Sequence, residues 1–382
     1  MTPWGGIRFA DDEYVDRHRR LCAAMDAREV DALVLSDDRL TWWLTGFGDT
    51  APIGSAARPR VLILPSRGDP VFFVHRSTLR AVREMSAVAD VRGYAALGAA
   101  PTTEIAHALR NLGAQRVGFE LGGQLRAGMA VQDLDLLRQD VEGVDAAPTV
   151  WAVRSVKSDA EVERIRHACD ITHAAYEEIL PRVGPGATER ELRGRLLRVM
   201  TEQGADGGFA WVASGPGSFD RIDGVPRDRQ IADGDLVFFD AGANVGGYWS
   251  DYSRTCIAGV ATAHQREQHA LAVEVTGIGV AAIAPGRSTA EVGRAVDAAM
   301  TERGLSFSSE AGRYGHGLGL AVTEPPDLAA GDPAVIEPGM VLTMEPGWWR
   351  EDGMYHCEEI VVVTMTGTEL LTQTRRVLVE AG

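Results

Sequence analysis

Short apolar runs alternating with helical stretches mark the first 150 residues. Ala32-Leu33-Val34-Leu35, Val61-Leu62-Ile63-Leu64 and Val71-Phe72-Phe73-Val74 read as short buried strands, and Arg116-Val117-Gly118-Phe119 follows the same pattern after a helix. Asp11 to Met25 has helical spacing. This order predicts an α/β domain with a mixed sheet over residues 1–150.

From residue 151 the helices lengthen and their starts are marked. Ser158 with Glu161, Thr188 with Glu191 and Ser288 with Glu291 form three capping boxes, in which hydroxyl and carboxylate satisfy free backbone N–H groups. Val162, Ile165 and Cys169, then Leu192, Leu196 and Met200, recur every three to four residues, so each helix has one buried face. Gly204 and Gly304 close the second and third helices. Strand-like runs follow at Asp235 to Asp240, Val341 to Glu345 and Glu358 to Thr364. Helices followed by strands, without strict alternation, predict an α+β domain over residues 151–382.

Composition narrows the functional classes. The chain has 382 residues with 45% hydrophobic and 24% charged, which excludes a disordered or fibrous protein. Thirty-eight Lys and Arg against 54 Asp and Glu leave a net charge of -16, which repels nucleic acid and anionic lipid and favours a small-molecule or short-peptide partner. Cys22, Cys169, Cys256 and Cys357 are scattered without CxxC spacing, which suits a reducing cytoplasm. No leader pattern and no apolar run of membrane length stands in the sequence, so a cytoplasmic location is expected.

Candidate chemistry begins at Leu236 to Asp251. An apolar strand, an Asn-Val-Gly-Gly turn and a second strand make a hairpin, and a turn centred on Val245-Gly246 would set Asp240 opposite Asp251. Opposed side chains lie about 5 Å apart, and two carboxylates at that distance repel unless a cation separates them. A pair of divalent metals fits; an exposed hairpin with aspartates at its ends is the plain alternative. His316 stands among glycines in Gly315-His316-Gly317-Leu318-Gly319-Leu320, Glu345 ends one apolar run and Glu358 begins another. Each alone has an ordinary structural reading. Together, four carboxylates and one imidazole suit manganese, iron, cobalt or zinc.

The ordered set Asp240, Asp251, His316, Glu345 and Glu358, within Asp-Ala-Gly, Asp-Tyr-Ser-Arg-Thr, Gly-His-Gly-Leu-Gly-Leu and Met-Glu-Pro-Gly, resembles the pita-bread metalloenzymes. These are Xaa-Pro aminopeptidases, prolidases, methionine aminopeptidases and creatinase-like proteins. Phe9 to Arg20, Asp31-Ala32-Leu33 and Trp43-Leu44-Thr45-Gly46 resemble the amino-terminal domain of creatinase and prolidase relatives. The resemblance implies a pita-bread catalytic domain with two divalent metals, manganese first, and a homodimer. Asp240 would be bidentate on one metal, Asp251 and Glu358 would bridge, and His316 and Glu345 would complete the second. The ions would acidify a bridging water, Glu345 would take its proton, and Arg254 would support the carboxylates. Glu358 is preferred to Glu359, which strand alternation turns to the other face.

Departures from the family bear on substrate. Asp223 stands where the peptidases have a histidine, Thr323 replaces a second histidine before Glu324-Pro325, and His356 replaces an arginine two residues before Glu358. Alternation points His356 to the same face as Glu358, so His356 and Asp223 are candidates for the missing acid and base. Tyr248 and Thr323 join Arg254 as candidates to support the ligands or touch substrate. Trp42-Trp43 reads as core, or as a reach across the dimer.

The expected activity is hydrolysis of an amide or related C–N bond in a small polar substrate, with Xaa-Pro peptidase activity as the conventional version. A lyase using proton abstraction and β-elimination, as in relatives that cleave dimethylsulfoniopropionate, is one alternative. A non-catalytic binding module is another. No GxSxG, Walker or HExxH pattern occurs, so serine hydrolase, NTPase and zincin readings lack support.

Overall fold

The apolar runs of the amino-terminal part become one sheet. In the computed structural model, which describes residues 8–48, 57–217, 225, 227–306, 312–373 and 376–381, the chain divides into two units, Met1–Arg154 and Ser155–Gly382. The first holds a six-stranded mixed sheet in the order Asp90–Tyr94, Val71–His75, Val61–Pro65, Ala32–Leu35, Arg116–Phe119, Glu142–Asp145. Ala32–Leu35 pairs antiparallel with Val61–Pro65 and parallel with Arg116–Phe119, so it is central, and all four of its residues are buried. Ile105 and Leu109 of the helix Thr102–Leu112 share one buried core with Val117 and Phe119, each such side chain contributing about 1.5–3 kcal/mol by leaving water. Trp42 and Trp43 lie in the helix Asp38–Thr45, 5% and 1% exposed, so within this chain both are core.

The second unit joins long helices to two sheets. The three capping boxes form as expected, on Asp159–Ile179, Glu189–Glu202 and Thr289–Glu302. A fourth, Thr262 with Gln265, opens the helix Ala263–Ala282. One sheet runs Val379–Ala381, Tyr252–Ala258, Leu236–Val245, Gly207–Ser214; the other runs Glu324–Asp327, His316–Gly317, Val341–Met344, Glu359–Val363, Thr368–Leu370. A separate hairpin pairs Gly347–Arg350 with Gly353–His356. The strand expected over Glu358–Thr364 therefore starts at Glu359, and Cys357 and Glu358 form a break between two strands of different sheets. Among the described residues no helix is long and apolar enough to cross a membrane.

Candidate metal centre

The Leu236–Val245 strand sets the first two carboxylates. Its odd-numbered residues face the helix Asp159–Ile179, where Tyr176 meets Phe239 edge-on at 6.4 Å and Thr172 Oγ1 accepts from the Ala243 amide at 3.1 Å. Side chains alternate along a strand, so Asp240 points to the opposite face. The expected pairing of Asp240 with Asp251 is corrected: the turn is Gly246-Gly247, and Asp240 lies opposite Ser253 and Trp211. Both turn glycines have positive φ, 53° and 85°, which a two-residue hairpin turn of this hand requires. Asp251 is thus a diagonal neighbour of Asp240 on the same face. Its carboxyl still reaches that of Asp240 by hydrogen bond. Gly242 makes the approach possible, because a Cβ there would sit 1.9 Å from the Ser250 carbonyl oxygen.

The second sheet brings the remaining groups. Cβ atoms at Gly315 and Gly317 would meet Thr343 O at 2.2 Å and Pro325 O at 2.3 Å, so the glycines let three chain segments close around His316. The His316 amide donates to Thr343 Oγ1 at 3.1 Å, and Nδ1 lies 2.9 Å from its neighbour's carbonyl, Gly317 O. A carbonyl only accepts, so Nδ1 carries the proton. Nε2 then faces Asp251 Oδ2 at 3.6 Å and Glu345 Oε1 at 3.3 Å. One ligand atom each from Asp251, His316 and Glu358 lie within 4.8 Å of one another, all three residues buried.

This crowding has an electrostatic cost. Burial, then the neighbouring carboxylates, push the carboxyls of Asp251 and Glu358 well above the ordinary range. Burial followed by Asp240 raises Glu345 to about 8. Burial lowers His316 to about 4, which keeps the imidazole neutral. Asp240 Oδ1 and Glu358 Oε1 are sealed from water without a hydrogen-bond partner among the described residues. Carboxyl oxygens left unpaired around a neutral imidazole lone pair match the donor set of a hard or borderline divalent cation. The residues fit such a guest.

The other candidates fall in different places. Arg254 donates to the Glu358 carbonyl at 2.6 Å and pairs with Glu359 at 3.2 Å, so it braces the break carrying Glu358. The buried Glu359 also accepts from Arg376 at 2.8 Å and from the Thr372 hydroxyl. Sequence reading passed over this clamp; the only signal was that alternation turned Glu359 away from Glu358. Tyr248 donates its hydroxyl to Glu161 on the helix-covered face, opposite Asp240. Thr323 is half-buried in the bend before Glu324–Asp327. Asp223 lies outside the described residues. His356 is buried, but alternation does not carry across the break to Glu358; its ring meets Ser253 and Gly347. Ser253 carried no signal of its own.

The pattern of metallopeptidase family M24 matches residues 163–365, and that of the creatinase/prolidase N-terminal domain matches residues 17–156. An uncharacterized peptidase, YqhT, of Bacillus subtilis is 29% identical over 359 residues, covering 92% of this chain and 96% of the relative. A Xaa-Pro dipeptidase of Pyrococcus furiosus is 32% identical over 234 residues, covering 59% of this chain and 65% of that protein. The solved Xaa-Pro dipeptidase from Bacillus anthracis superposes with a TM-score of 0.84 at 27% identity, covering 96% of this chain and 99% of that one. Fold and site define a metal-dependent hydrolase with a pita-bread catalytic domain. The chain belongs to metallopeptidase family M24, whose members use divalent metals, and it is an enzyme rather than a non-catalytic binding module.

Proposed function

We propose that this enzyme hydrolyses the amide bond of dipeptide-sized or similarly small polar substrates, with two divalent cations held by Asp240, Asp251, His316, Glu345 and Glu358. The observation that carries the reading is the His316 Nε2 lone pair turned toward Asp251 and Glu345 at 3.6 and 3.3 Å. A cation between them makes that meeting of electron pairs favourable. Divalent ions held there would supply Lewis-acid polarisation of the scissile carbonyl and acidify water near neutral pH.

Glu345 is the residue suited to move the proton. Its side chain is 24% exposed, against 4% for His316, 7% for Asp251 and 1% for Glu358, so it can reach both an attacking water and a departing amine. Relatives named as Xaa-Pro dipeptidases support a dipeptide-sized substrate. Thr323 offers a hydroxyl where the proline-specific enzymes have an imidazole, so the preference for proline is weakened. Manganese is the first choice of metal, before iron, cobalt and zinc, in a cytoplasmic homodimer.

Elemental analysis after reconstitution should find close to two metals per chain, and the loaded enzyme should cleave non-proline dipeptides or small amides at least as well as Gly-Pro and Ala-Pro. Failure to take up any of the four metals would remove the centre. A kcat/KM of about 10⁴ M⁻¹s⁻¹ or above confined to Xaa-Pro peptides would remove the weakened proline preference.

A further inference from the structure

We infer that His356 is a positioning residue that sets the spacing between the strand carrying Asp240 and the segment carrying Glu345, and is not the proton carrier that its place in the sequence suggests. The inference rests on the two-metal reading of the site.

Its surroundings form a socket drawn from separate parts of the chain. Ser253, the ladder partner of Asp240, hydrogen-bonds His356 Nδ1 through its hydroxyl. On its other side the ring lies against the main chain at Gly347, two residues after Glu345. One contact therefore leads to the Tyr252–Ala258 strand and the other to the segment that follows Val341–Met344 and carries Glu345. The ring stands over Gly347, its partner in the hairpin, where a Cβ would come 2.5 Å from His356 Cδ2. Phe238, two residues before Asp240, meets the ring edge-on at 5.6 Å and 87°. The main chain is tied down as well, since Thr255 Oγ1 donates to the His356 carbonyl at 3.4 Å.

A proton carrier needs a ring nitrogen within reach of substrate or of a mobile water. Here His356 is 6% exposed, and its ring hydrogen-bonds a serine hydroxyl. The run Asp240, Ser253, His356, Gly347 is a strut joining two ligand-bearing segments. Groups that orient metal ligands in this way are worth about 10- to 100-fold in metal affinity when removed.

Calorimetric titration of the metal-free full-length protein with Mn²⁺ tests the strut, alongside kcat of the metal-saturated enzyme and the melting curve of each metal-free variant. His356→Leu and Ser253→Ala should each weaken Mn²⁺ binding by about 10- to 100-fold. The double variant should bind no more weakly than the worse single one, because both break the same chain of contacts. If His356→Leu fails to fold, His356→Gln carries the test: it keeps a donor and an acceptor, and it should recover affinity relative to Ser253→Ala. Unchanged Mn²⁺ affinity in the variants overturns the inference, and a kcat lower by about 10²- to 10⁴-fold beside that unchanged affinity would make His356 the proton carrier after all. Wild-type protein that binds no Mn²⁺ instead removes the two-metal reading, and the strut with it.

Discussion

Lys157 Nζ lies 3.2 Å from Glu324 Oε2, with the two side chains 2% and 0% exposed. The ammonium also donates to Ser155 O at 3.2 Å, and Glu324 Oε1 accepts from the Ala321 amide at 3.0 Å. A Cβ on Gly319 would come 2.8 Å from Glu324 Oε2 and 2.9 Å from Lys157 Cε. The third glycine of Gly315-His316-Gly317-Leu318-Gly319 thus admits a sealed ion pair beneath the loop that runs from His316 to Thr323.

Breaking that pair from one side leaves a buried carboxylate without its counter-charge. Lys157→Met should destabilise the protein by about 3–5 kcal/mol in denaturant unfolding. Adding Glu324→Gln should recover a large part of the loss, since the uncompensated charge is then gone while a hydrogen-bonding side chain remains. A single variant within about 1 kcal/mol of wild type would mean that water or another group compensates Glu324.

Glu345→Gln separates proton transfer from metal holding. The amide keeps an oxygen where Glu345 has one but cannot act as a base. Turnover should fall by about 10²- to 10⁴-fold while at least one metal per chain is retained. Metal content measured beside kcat decides it, and wild-type turnover in this variant would assign the base elsewhere.

The shared face of Asp240 and Asp251 was legible in the sequence because the uncertainty in the turn preserved face parity. Moving the hairpin turn from Val245-Gly246 to Gly246-Gly247 exchanges the partner of Asp240 from Asp251 to Ser253, a shift of two residues, and side chains two apart share a face. The apolar strands and the capping boxes were legible for a similar reason: their signals are local. The helix Ala263–Ala282 had such a signal in Thr262 and Gln265, and it was passed over. Glu358 and His356 were harder, since the break at Cys357 and Glu358 ends the alternation on which both assignments leaned. Contacts such as Ser253 with His356 and Lys157 with Glu324 join residues 103 and 167 positions apart, and nothing local in one sequence pairs them.

The buried Glu120 gives a dependence on pH in the first unit, remote in sequence from the candidate metal centre. Its carboxyl accepts from the Ser36 amide and hydroxyl, each at 2.8 Å, and from the Asp37 amide at 2.9 Å. Asp37 in turn caps the helix Asp38–Thr45, accepting from the amides of Arg39 and Leu40. Burial outweighs the hydrogen bonds and pushes Glu120 from its ordinary 4.5 up to about 8, with nearby Asp37 adding to the rise. The folded state therefore holds this proton more tightly than the unfolded chain. Its stabilising contribution is complete below about pH 4.5 and is lost as pH rises toward and through about 8, at up to about 1.4 kcal/mol per pH unit. Glu120→Gln cannot titrate, so whatever its stability at pH 5, the wild type should lose ground to it between pH 5 and pH 8 and hold a constant difference above that. Melting temperatures of both proteins across this range are the measurement. A difference that stays flat from pH 5 to pH 8 would show that Glu120 is already ionised in the folded protein, held so by its three donors.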